Sequence, residues 1–497
     1  MLTVALALGV SCVDESQTGR PETASEGAPA IGDRPNFLLI TIDTLRADRL
    51  SCYGYRKHQT PNIDRLASEG ALFERAFCDV TWTTPSMSSV MTGTYATLHG
   101  YKSTNIHRLD EQNLTLAEVL REHGYTTAAV IGSFPLDSIY GLDQGFGLYD
   151  DEFTAPIIAS ETPVEHVPSQ RFDSIEEQRR FGLIKSVNDS RRPDPEVTAV
   201  ATEWLRRSAS KPFFLWVHYF GPHNKPDTSD TNRFAKNRRH LREYDPDVVT
   251  NDKEIGKLLR AVDELGLAET TLVILHADHG ESLREHGEIG HGKNLYDPTL
   301  QIPLIVRFPG RVPPGIRVQE LARNVDIFPT VLDAAGVQVS HPLSGRSLLP
   351  LTLPKAPQES EDWTETYMET YMAAHAGFAR QVDLPNGRKT RVGVVHRGIR
   401  TARWKFVQTE PAPFVGEESL APLPAGTLDS LETEELYDLD ADPKEQHNLI
   451  TAHPEVAARL RARLAVHLER ERPDRAAPRA DLDDDARERL RSLGYVE

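Results

Sequence analysis

Cysteine is scarce in this chain: three in 497 residues, Cys12, Cys52 and Cys78, with no pair at C-x-x-C spacing. That excludes a disulfide-stapled scaffold and the common thiolate zinc and redox motifs. Positive charge is also in deficit, with 56 Lys and Arg against 74 Asp and Glu and a formal net charge of -18 at pH 7. No basic excess exists to displace counterions from phosphates, so nucleic acid is not an expected partner. No stretch after the N-terminal dozen approaches the roughly 20 apolar residues of a membrane span, and no internal repeat is present. The length calls for a large domain plus a smaller one rather than one ordinary core.

What the N-terminus does contain is MLTVALALGVSC, an apolar run of signal-like length ending in small residues before Cys12, followed by a polar tether rich in Pro, Gly, Ser and Glu. Residues 1–35 read as a lipoprotein-like signal and tether. They imply export to the periplasm or cell envelope and a lipid anchor on Cys12. No Lys or Arg precedes the run and Gly9 interrupts it, so a gene start placed too far downstream is the alternative.

NFLLITID (36–43) is a continuous apolar run ending in an acid, the pattern of a buried parallel strand whose carboxyl end opens into a site. TTAAVIG (126–132), FFLWVHYF (213–220), TLVILHAD (271–278) and IPLIVRF (302–308) are further buried-strand candidates. Helical patterns such as 196–207 and 251–266 alternate with them. The expected fold is therefore α/β, a large mostly parallel sheet sandwiched by helices over 36–350. A polar insertion or lid covers 150–195, and the Pro-rich 348–357 reads as a linker. From 351 to 497 a smaller α+β unit is expected, with antiparallel strands over 390–409 and an amphipathic closing helix over 454–471.

Asp43, Asp278 and His279 each fall at or just after the carboxyl end of an expected strand, where open α/β sheets gather ligands. Two carboxylates and an imidazole suit a hard or borderline divalent cation, with manganese, zinc, magnesium and calcium all open. Singly, each acid could equally cap a helix or a turn. TTPSMSSVMTG (83–93) places Thr84 as a helix cap, Pro85 at the first helical position and Thr83 just outside a helix N-terminus. Unpaired N–H groups there favour an anion, and a hydroxyl beside a cation becomes a nucleophile for an anionic ester. The alternative is that both threonines only cap the helix.

ITIDTLRADRLSCYGY, TPNIDRLASEG, the TPS-to-TG segment, FFLWVHYFGPH, HADHGESLREHG, GHGKNLYDPTLQIPLIV, NVDIFPTVLDAAG, GRSLLP and ELYDLDADPKEQHNL run in collinear order from about Asn36 to Leu449. Together they resemble the successive blocks of the sulfatase family of the alkaline phosphatase superfamily. The resemblance implies a divalent metal held by Asp43, Thr83, Asp278 and His279. The Asp-His pair and Ile42 in place of a second acid resemble the phosphonate monoester hydrolase and lipoteichoic-acid-synthase-like branches. Thr83 falls on the nucleophile position of the family's C/S-x-P-S-R motif. Threonine cannot give the formylglycine aldehyde of typical sulfatases, and Met87 stands where the motif has Arg.

The same resemblance implies that His218 and His223 contact substrate, that His291 or Lys293 assists the leaving group, and that Lys102 is a further substrate contact. Arg46 could support the site through a carboxylate pair. The implied activity is hydrolysis of a sulfuric or phosphoric ester carrying a sugar, lipid or aryl leaving group. A Thr nucleophile suits phosphorus better than sulfur. The alternatives are a transferase passing the group to a glycan or lipid hydroxyl, and a degenerate protein that binds without turnover.

Overall fold

The computed structural model describes residues 34–102, 107–153, 191–208, 211–223, 233–353, 364–371, 380–383, 389–412, 431–470 and 478–493. The signal-like segment with Cys12, nearly all of the tether and most of the 150–195 insertion lie outside the described residues. Among the described residues, no helix is long and apolar enough to cross a membrane.

The first unit is built on eight strands: β1 (Asn36–Ile42), β2 (Ala71–Phe73), β3 (Thr126–Val130), β4 (Leu148–Asp150), β5 (Phe213–Tyr219), β6 (Thr271–Ala277), β7 (Leu304–Arg307) and β8 (Ile316–Val318). Their lateral order is β8-β2-β7-β6-β1-β5-β3-β4. Every residue of β1, β5 and β6 is buried, as apolar runs without alternation require when helices cover both faces. The register sets Thr41 of β1 beside His218 of β5 and beside His276 of β6.

The expected strand over 302–308 forms, but β7 runs antiparallel to both β6 and β2. A parallel return needs a crossover of a dozen or more residues, normally a helix. Between β6 and β7 the chain offers only two short turns of helix, Glu285–Gly287 and Asp297–Leu300, so it comes back on itself.

Flanking the sheet are α1 (Pro61–Ser68), α2 (Thr83–Thr92), α3 (Asp194–Ser208), α4 (Arg233–Glu264) and α5 (Ile327–Ala335). The helix expected over 251–266 is the second half of α4, which continues through Pro246. In the second unit, β9 (Glu365–Tyr371), β11 (Lys389–Thr401), β12 (Trp404–Ala412) and β13 (Thr433–Asp438) form an antiparallel sheet in that order, and β10 (Arg380–Asp383) pairs with β11. Helix α6 (Pro454–Arg470) closes a small core of Tyr367, Ile399, Phe406, Leu436, Leu460 and Leu464. A last helix, α7 (Asp484–Leu493), returns to the first unit, where Ala486 and Leu490 join the main core.

The units are tied beside α2. Glu369 N donates to Asp79 O at 2.7 Å and the Thr81 and Thr370 hydroxyls lie 3.1 Å apart. Deeper in the junction, buried Lys405 pairs with Asp297 and Glu445, and Arg400 pairs with Asp297 at 2.9 Å.

Candidate active site

Asp43 and Asp278 stand one residue past the ends of adjacent strands β1 and β6. Thr44 then turns the chain at φ 57°, a conformation that β-branched residues rarely adopt. The turn aims Thr44 N at Asp278 Oδ1, 3.1 Å away. Tyr244 of α4 holds it there, donating its hydroxyl to Thr44 O at 2.7 Å while accepting from Arg46 N at 3.0 Å. Arg46 forms the expected carboxylate pairs, with Asp48 and Glu285, and also donates to Glu281 O.

Asp278 Oδ1 is further engaged by His279 N at 2.8 Å. Its Oδ2, both oxygens of Asp43 and both ring nitrogens of His218 are buried without a hydrogen-bond partner among the described residues. Ligand atoms of Asp43, His218 and Asp278 all lie within 4.8 Å of one another. Burial first, then the neighbouring carboxylate of Asp278, holds the Asp43 carboxyl well above its ordinary range. Unpaired buried carboxylates are costly, and a divalent cation answers that cost directly. The donor set therefore fits the cation expected from the sequence.

His279 Nδ1 donates to Gly280 O across 2.9 Å, which leaves Nε2 as the acceptor nitrogen. That nitrogen is 3.3 Å from Thr83 Oγ1, 3.5 Å from Asp278 Oδ2 and 3.9 Å from Asp43 Oδ1. Burial pushes the His279 pKa down, so the ring is neutral, as a ligand or proton acceptor must be.

Thr83 is the first residue of α2, and Trp82 is its N-cap. The expectation that Thr84 caps the helix with Pro85 first is corrected. Thr84 gives its hydroxyl to Pro135 O, and Pro85 is the third helical residue. The helix is fixed against the sheet by Ser86, whose hydroxyl donates to Asp278 O at 2.6 Å. Thr83 is thereby fully buried at a helix N-terminus that has no side-chain cap.

A histidine cluster borders this group. His291 packs 4.4 Å from the His279 ring and 5.2 Å from the His223 ring, with Trp82 edge-on at 5.4 Å. Its Nδ1 meets Glu281 Oε2 at 3.0 Å, and His240 of α4 approaches the other oxygen of Glu281 at 3.7 Å. Glu281, His240 and Trp82 were not singled out from the sequence. Glu281 lay in plain view within HADHGE, whereas His240 comes from a helix some 40 residues upstream with nothing local to mark it.

Lys293 donates to Ile289 O at 2.9 Å and pairs with Glu288 at 3.2 Å. Lys102 lies 5.1 Å over the Tyr371 ring of β9, at the junction of the two units.

The family profile described as "Sulfatase" matches residues 35–337, and one described as "N-sulphoglucosamine sulphohydrolase, C-terminal" matches 285–411. Arylsulfatase A of Homo sapiens is 26% identical over 471 residues, covering 87% of this chain and 87% of its own. A structure solved with its substrate D-glucosamine-2-N,6-O-disulfate superposes with a TM-score of 0.64 at 21% identity, covering 88% of this chain and 98% of the other. The phosphonate monoester hydrolase of Agrobacterium radiobacter superposes with a TM-score of 0.60 at 20% identity, over 88% and 96%. These two likenesses establish the shared fold.

Proposed function

From the premise that this chain belongs to the sulfatase family of ester-hydrolysing enzymes, we propose that it is a metal-dependent hydrolase of anionic esters with Thr83 as nucleophile, favouring phosphate mono- or diesters over sulfate esters. The observation that carries this reading is the placement of Thr83 Oγ1, 3.3 Å from His279 Nε2 at the buried start of α2. Asp43, Asp278 and His279 would hold the cation together with the Thr83 oxygen. A bound divalent cation would supply charge neutralisation and a lowered hydroxyl pKa.

Thr83 gives up its hydroxyl proton to water and its Oγ attacks the central atom of the ester, forming an Oγ–P bond as the bond to the leaving oxygen breaks. The helix N-terminus faces the anion and stabilises the charge that builds on its remaining oxygens. His291, oriented by Glu281, gives a proton to the leaving oxygen. Water then attacks phosphorus and passes a proton to His291, the Oγ–P bond breaks, and the Thr83 oxygen takes its proton back from water. Formylglycine chemistry ejects sulfate by collapse to an aldehyde. The threonine β-carbon carries a methyl group and cannot follow that route, so release must come through attack at the central atom, a step that phosphorus tolerates better. His223 and Lys102 would contact the substrate, Lys293 would assist the leaving group beside His291, and an N-terminal lipid at Cys12 would hold the enzyme at an envelope membrane.

The test is purified protein on an aryl sulfate, a phosphate monoester and a phosphodiester. A phosphate ester turned over fastest is the expected result. Sulfate as the best substrate by a wide margin would overturn the phosphorus preference. Product analysis with added glycerol or sugar separates hydrolysis from transfer.

A further inference from the structure

Two histidines occupy one row of the central sheet. Thr41 of β1 pairs with His218 on one side and His276 on the other. Strand side chains alternate between faces, so in-register residues share a face. Asp43 and Asp278, two positions further along, continue the same two rows past the strand ends.

The two imidazoles have different fates. His276 is fully satisfied: Nε2 meets Thr41 Oγ1 at 2.9 Å and Nδ1 meets Ala277 O at 2.8 Å. His218 is equally buried, at 0% exposure, yet neither ring nitrogen has a hydrogen-bond partner among the described residues. A polar ring is rarely left in that condition in a folded core. One of its nitrogens lies within 4.8 Å of a carboxylate oxygen of Asp43 and of one of Asp278. Ions bound at about 2 Å by nitrogen and oxygen donors hold those donors within roughly 4 Å of each other, so a small adjustment brings all three onto one ion.

We infer that His218 is a cation ligand rather than a substrate contact, and that its imidazole biases the site toward borderline metals such as manganese, cobalt or zinc over calcium. Calcium takes oxygen donors, whereas imidazole nitrogen suits the later first-row ions. His279 reaches the same carboxylate pair, so two imidazoles share it. This inference rests on the metal-dependent reading above.

The experiment strips the full chain of metal and titrates it with Co2+ and Ca2+, following heat of binding and the visible Co2+ spectrum, with circular dichroism as a check on folding. His218→Gln is expected to weaken Co2+ at least tenfold and change the spectrum, while His218→Asp shifts preference toward Ca2+. His218→Gln that folds and binds Co2+ as the parent does, with the same spectrum, would overturn the His218 assignment and leave the hydrolase reading intact. A parent protein that binds neither ion would overturn both.

Discussion

Replacing Asp43 with Asn should move stability and metal binding in opposite directions. The carboxylates of Asp43 and Asp278 present ligand atoms within 4.8 Å of each other, and neither Asp43 oxygen nor Asp278 Oδ2 has a hydrogen-bond partner among the described residues. At an effective dielectric near 20, two unit charges at that separation repel by about 3 kcal/mol. The amide is nearly isosteric, removes the charge and offers an N–H to the unpaired Asp278 Oδ2. Metal-free Asp43→Asn should therefore be more stable than the metal-free parent, by up to about 3 kcal/mol where Asp43 is ionised, with the gain shrinking as pH falls and the raised Asp43 carboxyl takes up a proton. With a divalent cation the order reverses, because the parent gains the binding free energy and the variant loses most of it. Thermal unfolding in EDTA and in saturating Mn2+ reads both effects on the same samples. The reasoning fails if Asp43→Asn lowers the melting temperature in EDTA, or if Mn2+ raises parent and variant equally. Either result would mark Asp43 as a structural acid whose carboxylate the apo fold needs.

Thr83→Ala should lower turnover of the best ester by about 10³-fold or more, while Thr83→Ser stays within about tenfold, because only the serine keeps an attacking hydroxyl; equal activities would refute the nucleophile. Gly292, at φ +77°, would place an added Cβ 2.1 Å from the Trp82 ring. Gly292→Ala must displace the indole of Trp82, the residue just before Thr83, so kcat should fall at least tenfold, with about 1–3 kcal/mol of overpacking. Gly310 shares φ +77° but has nothing within 4 Å; Gly310→Ala should cost about 1 kcal/mol of backbone strain and leave kcat alone, and a similar loss in both variants would refute the clash argument. Burial, opposed by Lys405 and reinforced by Asp297, pushes the Glu445 carboxyl up to about 7 from 4.5. A folded pKa raised above the unfolded one gives stability that is present below about 4.5 and lost as pH rises toward about 7. Urea unfolding of the parent should therefore weaken over that window relative to Glu445→Gln, and parallel profiles would show that Glu445 does not titrate there.

Much of this architecture was readable because a buried parallel strand is written as an uninterrupted apolar run whose last residue faces the site. Asp43 and Asp278 announce themselves in that way, as does the Thr-x-Pro helix start after them. Lateral order is less accessible. Nothing in FFLWVH distinguishes His218 from a packed strand-end histidine until register sets it beside Thr41, with Asp43 and Asp278 two steps on. The direction of β7 depends on the missing crossover helix rather than on its own residues. The start of α2 slipped from Pro85 to Thr83 because the Thr84 hydroxyl found Pro135 O instead of its own helix, a tertiary contact overriding a local capping preference.

The second unit is more than an appendage to this site. Strand β9 hydrogen-bonds to Asp79 just before the cap of α2, and Thr370 donates to Gly292 O at 3.0 Å, next to His291. One short strand thus touches both the segment that presents Thr83 and the loop that presents His291. Tyr371, the last described residue of that strand, carries Lys102 on its ring. A shift of β9 would therefore move against both segments at once. The buried Lys405–Asp297 contact opposes such a shift, since separating those charges in a dry junction leaves each unpaired. The junction between the units thus braces the segments that carry Thr83 and His291, alongside the contacts that Asp278, His279 and Glu281 make within the first unit.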